Sequence, residues 1–185
     1  MPGAHLAVLC VLLLALRNAC GSPLPDWNHC RESSRNLNDI VNSMIAQMQD
    51  VKVKVIMMDG VPYIESADRC DPAGLRSNSK LCLSKISAIL QTYIGLFEKM
   101  GGSCDWDNSD LKEEMLYLQK HLKARGINES GKKMGAVQAW MCHSLPQALL
   151  QRLTSFSSIV ARVFAPGDPA KHTEDDNSFL GCGLQ

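Results

Sequence analysis

The sequence predicts an all-α fold, a four-helix bundle running up-up-down-down. Three observations predict it. Four stretches set their apolar residues three and four apart, the repeat that gathers them on one face of a helix. The links between those stretches are long, short and long, which limits how neighbouring helices can run. An apolar leader followed by an even set of cysteines points to a secreted domain carrying disulfides.

The leader comes first. Leu6 to Leu16 is apolar throughout and is followed by the small residues Ala19, Cys20, Gly21 and Ser22. A run of about 11 residues is too short to span a bilayer, which takes about 20. Residues 1–21 therefore read as a signal peptide cleaved after Gly21, with only the α-amino group and His5 as its positive end. Residues 22–164 read as one helical domain and residues 165–185, polar and broken by Pro and Gly, as a flexible C-terminal tail. No second apolar run of spanning length follows, so no membrane insertion is expected and the mature chain should be secreted and extracellular.

The first helix is expected over about 30–52, where Leu37, Ile40, Val41, Met44, Ile45, Met48 and Val51 share a face. From Val53 to Gly74 the period is lost among Gly60, Pro62, Pro72 and Gly74, although Val53, Val55, Ile56 and Met57 suit a short extended segment. A second helix is expected over about 78–100, with Leu83, Ile86, Ile89, Leu90, Tyr93, Ile94, Phe97 and Met100 on one broad face and Gly101-Gly102 ending it. Asp110 with Glu113 has the form of a capping box that opens a third helix, in which Leu111, Met115, Leu118 and Leu122 continue to about Arg125, before Gly126. Residues 126–139 form another long, glycine-rich link that carries the sequon Asn128-Glu129-Ser130, and a glycan on Asn128 would have to face solvent. The fourth helix carries Leu149, Leu153, Phe156, Val160 and Val163; a start near Ser144 fits Pro146 into its first turn, whereas a start near Trp140 would be kinked.

The short link makes the second and third helices antiparallel neighbours. Links of about 14–25 residues, at roughly 3.3 Å per extended residue, can run the length of a bundle and let the helices they join point the same way. The first and second helices then run up, the third and fourth down.

Behind the leader stand Cys30, Cys70, Cys82, Cys104, Cys142 and Cys182. In an oxidising compartment an even number reads first as disulfides. A zinc site at Cys70 and Cys82 would want Cys-x-x-Cys spacing and a second ligand pair, which are absent.

Three stretches resemble the interleukin-23 alpha family of long-chain helical cytokines. Cys70-Asp71-Pro72, Gly74-Leu75-Arg76, Asn78-Ser79 and Cys82-Leu83 match the approach to its second helix, Ala161-Arg162-Val163-Phe164-Ala165 the end of its fourth, and Pro25, Trp27 and Cys30 the opening of its first. The resemblance implies an intrachain disulfide between Cys70 and Cys82. It implies a secreted subunit that pairs with the interleukin-12 beta subunit and presents a composite surface to two receptor chains, the interleukin-23 receptor and the interleukin-12 receptor beta chain, on lymphoid cells. By resemblance Arg162 inserts into an acidic pocket of the beta subunit, although spacing alone would read it as a solvated surface arginine. Counting back from Ala161 without a gap puts the family's receptor-binding tryptophan at Trp140, which on the residues alone could equally cover the end of the bundle. Ser66 departs from the family, which places an interchain cysteine there. That role would fall to Cys104, Cys142 or Cys182, or these would pair among themselves in a non-covalent heterodimer.

Other chemistries find no support. Nineteen acidic side chains stand against nineteen basic ones in no like-charged block, so neither nucleic acid nor an anionic membrane is an expected partner. Asp105, Asp107 and Asp110 fail as a calcium loop, because Asp110 stands where glycine is needed and Leu116 where the bidentate glutamate belongs. His29, His121, His143 and His172 are scattered, without His-Glu-x-x-His, Gly-x-Ser-x-Gly or a phosphate loop, so no enzyme, cofactor or metal site is expected. The alternatives to an interleukin-23 alpha-like subunit are an interleukin-12 alpha-like subunit, a self-sufficient helical cytokine of the interleukin-6 group, and a carrier of apolar ligands suggested by the nine methionines.

Overall fold

The computed structural model describes residues 25–48, 61–104, 106–123, 142 and 144–171. The expected signal peptide, the extended segment at Val53–Met57, Asn128, Trp140 and residues 172–185 of the tail, Cys182 among them, lie outside them. The described residues form four helices: α1 Trp27–Gln47, α2 Pro72–Ser103, α3 Ser109–Leu122 and α4 Leu145–Phe164. Two short 3-10 turns, Ser66–Asp68 and Pro169–Lys171, accompany them, and the described residues contain no strand.

Local chemistry sets each boundary. Asp26 caps α1, accepting the His29 backbone N–H at 3.3 Å. The helix ends at Gln47, earlier than the apolar period suggests, because Met48 turns extended while its side chain still packs on the core. α2 opens at Pro72 and breaks at the non-helical Asn78, so the helix expected from about 78 is its main part, preceded by a short helical segment. Asp71 accepts the Gly74 N–H at 3.0 Å and Pro72 takes the first helical position, where its missing N–H has no partner to lose. Asn78 marks a kink inside the helix, with φ −161° and ψ 82°. Gly101 and Gly102 do not stop α2: glycine weakens a helix without forbidding it, and the chain leaves only at Cys104, whose N–H bonds Met100 O at 2.7 Å.

The capping box expected at Asp110 does not form. Asn108 is the cap residue of α3 but sends its side-chain amide to the Phe97 carbonyl at 3.1 Å, while Asp107 Oδ1 accepts the Ser109 N–H at 3.0 Å and its hydroxyl at 2.7 Å. The helix closes at Leu122, with Lys123 in the left-handed region at φ 49°, short of the expected Arg125. In α4 Ser144 is the cap residue and Pro146 sits in the first turn, the arrangement that accommodates it.

Long-range contacts fix the directions. The Asp26 N–H bonds His121 O at 3.0 Å, and Ser33 farther along α1 donates to the Glu114 side chain earlier in α3, so these helices run antiparallel. Trp27 packs on Phe164 with ring centroids 5.4 Å apart and Asn38 accepts from Ser157 and Ser158, so α1 also opposes α4. Tyr93 meets Phe156 at 5.8 Å and Cys104 bonds Cys142, so α2 opposes α4. With α2 and α3 joined by a tight link, α1 and α2 point one way and α3 and α4 the other, the up-up-down-down order.

The core is the set of faces that the apolar periods identify. Every expected inward residue of α2, α3 and α4 is buried, and those expected from Leu37 to Met48 in α1 are buried or packed against the core. Burial of this kind contributes roughly 1.5–3 kcal/mol per large side chain and dominates the stability of the bundle. Ser33, Ser34 and Ser157 are also fully buried where α1 lies against α3 and α4, each with a hydroxyl partner, as buried polar groups require.

Candidate interaction face

Arg162 stands in the last turn of α4 and is exposed, with the buried Val160, Val163 and Phe164 around it in sequence. It continues an outward stripe of Arg152, Ser155 and Ile159 at helical spacing. The segment 61–64 of the first crossover lies against the N-terminal part of this stripe: Val61 is buried, Ile64 packs on the core, and Tyr63 projects with 64% of its surface exposed. Val61 to Ile64, together with Tyr93, Arg152, Ser155, Phe156 and Ile159, line a shallow groove there. Burial raises the pKa of the Tyr93 hydroxyl.

The crossover then turns through Ser66–Asp68, whose Ser66 is exposed, and through Arg69 in the left-handed region at φ 53°. It is anchored by the Cys70–Cys82 disulfide, with Cα atoms 5.0 Å apart. The second bond, Cys104–Cys142, ties the end of α2 to the approach to α4, a pairing that spacing could not select among the remaining cysteines. Cys30 is free and buried, and desolvation pushes its thiol up to about 12.

The structure thus sets Tyr63 against Arg152, Ser155 and Ile159, the stripe that leads to Arg162, and leaves Ser66 exposed farther along the crossover, while Trp140 and Asn128 lie outside the described residues. It also assembles a cluster that sequence reading missed. Asp26, His29 and His121 meet where α1 begins and α3 ends, with their ligand-type atoms all within 4.8 Å of one another. His29 Nδ1 lies 2.8 Å from Asp26 Oδ2, and the two imidazoles stack with centroids 4.5 Å apart and planes 14° apart. The His29 hydrogen bonds hold the Asp26 carboxyl below its usual range, while desolvation, followed by the charge of His29, lowers the pKa of His121.

An up-up-down-down bundle with long crossovers and disulfide anchors at both ends is the fold of a helical cytokine. The sequence model of the family Interleukin 23 subunit alpha matches residues 25–168. Relatives carrying that name include the mouse (Mus musculus) protein, 29% identical over 164 residues, covering 79% of this chain and 82% of its own length. The human (Homo sapiens) protein is 29% identical over 182 residues, covering 87% and 94%. The rat (Rattus norvegicus) protein is 30% identical over 160 residues, covering 79% and 82%. The chain belongs to the interleukin-23 alpha family, and is a cytokine subunit and not an enzyme. No helix among the described residues is long and apolar enough to cross a membrane.

Proposed function

We propose that the chain is secreted after loss of residues 1–21 and pairs with the interleukin-12 beta subunit. The resulting pro-inflammatory heterodimer engages the interleukin-23 receptor and the interleukin-12 receptor beta chain on lymphoid cells. The observation that carries the reading is Arg162: in a chain of this family, a guanidinium stands exposed in the last turn of α4, among the buried Val160, Val163 and Phe164. A planar, permanently charged donor fork suits an acidic pocket in the beta subunit, where desolvation strengthens its directed bonds. Tyr63, exposed beside the Arg152, Ser155 and Ile159 stripe of α4, supplies rigid amphipathic area.

Trp140 is the receptor contact in this reading, and Asn128 carries a glycan. The heterodimer is not linked through Ser66, and Cys70, Cys82, Cys104 and Cys142 are all paired within the chain. The buried Cys30 is unsuited to an interchain bond, so any covalent link falls to Cys182.

Secretion with and without the beta subunit, with the mass read under reducing and non-reducing conditions, tests the reading. Secretion only on co-expression, as a one-to-one complex, is the expected result. Arg162→Ala should weaken that complex by about 2 kcal/mol, roughly thirtyfold, as a central arginine anchor does. A stable monomer secreted without the beta subunit would overturn the pairing and leave a self-sufficient cytokine, and an unaffected Arg162→Ala complex would move the contact elsewhere.

A further inference from the structure

We propose that Asp26, His29 and His121 form a site for a divalent transition-metal ion, zinc being the natural occupant, that staples the start of α1 to the end of α3. Two imidazoles and one carboxylate are the donor set of open three-ligand zinc sites, with remaining positions filled by water. Such a set disfavours calcium and magnesium, which seek several oxygen ligands.

Geometry carries the assignment. The three ligand-type atoms lie within 4.8 Å of one another, while bonds of about 2.0–2.1 Å around a tetrahedral ion place ligand atoms roughly 3.4 Å apart. To converge their in-plane lone pairs the two imidazoles must turn out of their stack, a side-chain rotation, while the Asp26 N–H bond to His121 O at 3.0 Å keeps the two ligand-bearing segments together. Asp26 and His29 are the cap residue and its i+3 neighbour, so they project together over the first turn of α1. Tyr117 packs on both imidazoles, with centroids 6.4 Å from His29 and 4.5 Å from His121, and limits the rotations open to each ring.

Asp26 Oδ2 already faces His29 Nδ1 at 2.8 Å. An ion entering there takes the place of the shared proton. The neutral imidazole moves that proton to Nε2 and offers the Nδ1 lone pair, while an imidazolium releases it to water. Lys120 and Lys123 flank the site, but both are exposed, and long ammonium side chains turn outward readily. The cluster lies at the α1–α3 corner, outside the groove beside α4, so its occupancy stands or falls independently of beta-subunit pairing.

The test is zinc titration of the secreted, untagged full chain, in its heterodimer if it is secreted as one, by calorimetry and by the histidine side-chain NMR resonances. The expected result is saturable one-to-one binding at micromolar zinc that shifts the resonances of His29 and His121 and raises the melting temperature. His29→Ala, His121→Ala and Asp26→Asn should each weaken it by roughly tenfold or more, since even residues behind the ligands commonly have that effect. Asp26→Asn keeps a capping oxygen and His29 is exposed, so those two variants remain informative if His121→Ala folds poorly. Absence of saturable binding, or binding that the three substitutions leave unchanged, overturns the site.

Discussion

Cys30 has no solvent-accessible surface and joins neither disulfide, so its chemistry is governed by desolvation. Burial disfavours the thiolate, and the Asp26 carboxylate adds to the effect, pushing the thiol up to about 12. Since the thiolate is the reactive species, Cys30 should resist iodoacetamide at pH 8 in the native protein and be alkylated once the chain is denatured. Intact-mass spectrometry reads this directly, and rapid alkylation under native conditions would contradict the burial. The sequence could not separate this cysteine from the others, because pairing depends on which residues the bundle brings within about 7 Å of each other. The apolar core residues were legible one by one, since their spacing alone puts them on a face. Ser33, Ser34 and Ser157 were not, because a short hydroxyl-bearing residue is buried only where two helices approach closely and a partner such as Asn38 or Glu114 stands opposite.

At the scale of the element, the start of α2 depends on one glycine and one kink. An ideal Cβ on Gly74 would lie 2.4 Å from the Arg69 carbonyl oxygen and 2.7 Å from the Arg69 Cβ, inside the tight approach that lets Asp71 cap the helix beside the Cys70–Cys82 bond. The obstacle includes backbone, so it cannot swing aside. Gly95, in the same helix, meets nothing within 4 Å. Opposite signs follow. Gly74→Ala should destabilise by about 1–3 kcal/mol, the overpacking outweighing the propensity gain, whereas Gly95→Ala should stabilise by about 0.5–1 kcal/mol. Denaturant unfolding of the two variants decides it, and a stabilised Gly74→Ala protein would show that the clasp has slack. Helix existence was plain in the sequence and helix ends were not: Asp71-Pro72 serves as cap and first turn as readily as it breaks a chain, and Asn108 spends its amide on Phe97 instead of its own helix.

Across the whole molecule, link lengths carried the topology, because a chain can join parallel helices only if it can span them. What they could not carry is which residues far apart in sequence become neighbours, and the candidate sites are made of such pairs: His29 with His121, and the Tyr63 strap with the stripe leading to Arg162. The two ends of the bundle are held differently. At one end, Trp27 packs on Phe164, Asp26 bonds His121 and the Cys70–Cys82 bond closes the crossover. The other end has the intrachain Cys104–Cys142 bond as a staple, and it closes a separation of 38 residues around all of α3, against 12 for Cys70–Cys82. Loop-closure entropy grows with enclosed length, so the longer bond should contribute about 4 kcal/mol and the shorter roughly 3. Location widens that difference, since the first end keeps its aromatic and backbone contacts when its disulfide is cut. The Cys104→Ser, Cys142→Ser double variant should therefore lose more stability than Cys70→Ser, Cys82→Ser. Its amide hydrogen exchange should rise first at the C-terminal turns of α2 and the N-terminal turns of α4, leaving the Trp27–Phe164 end protected. Equal losses, or exchange that rises uniformly, would mean that the bundle unfolds as one unit whichever staple is removed.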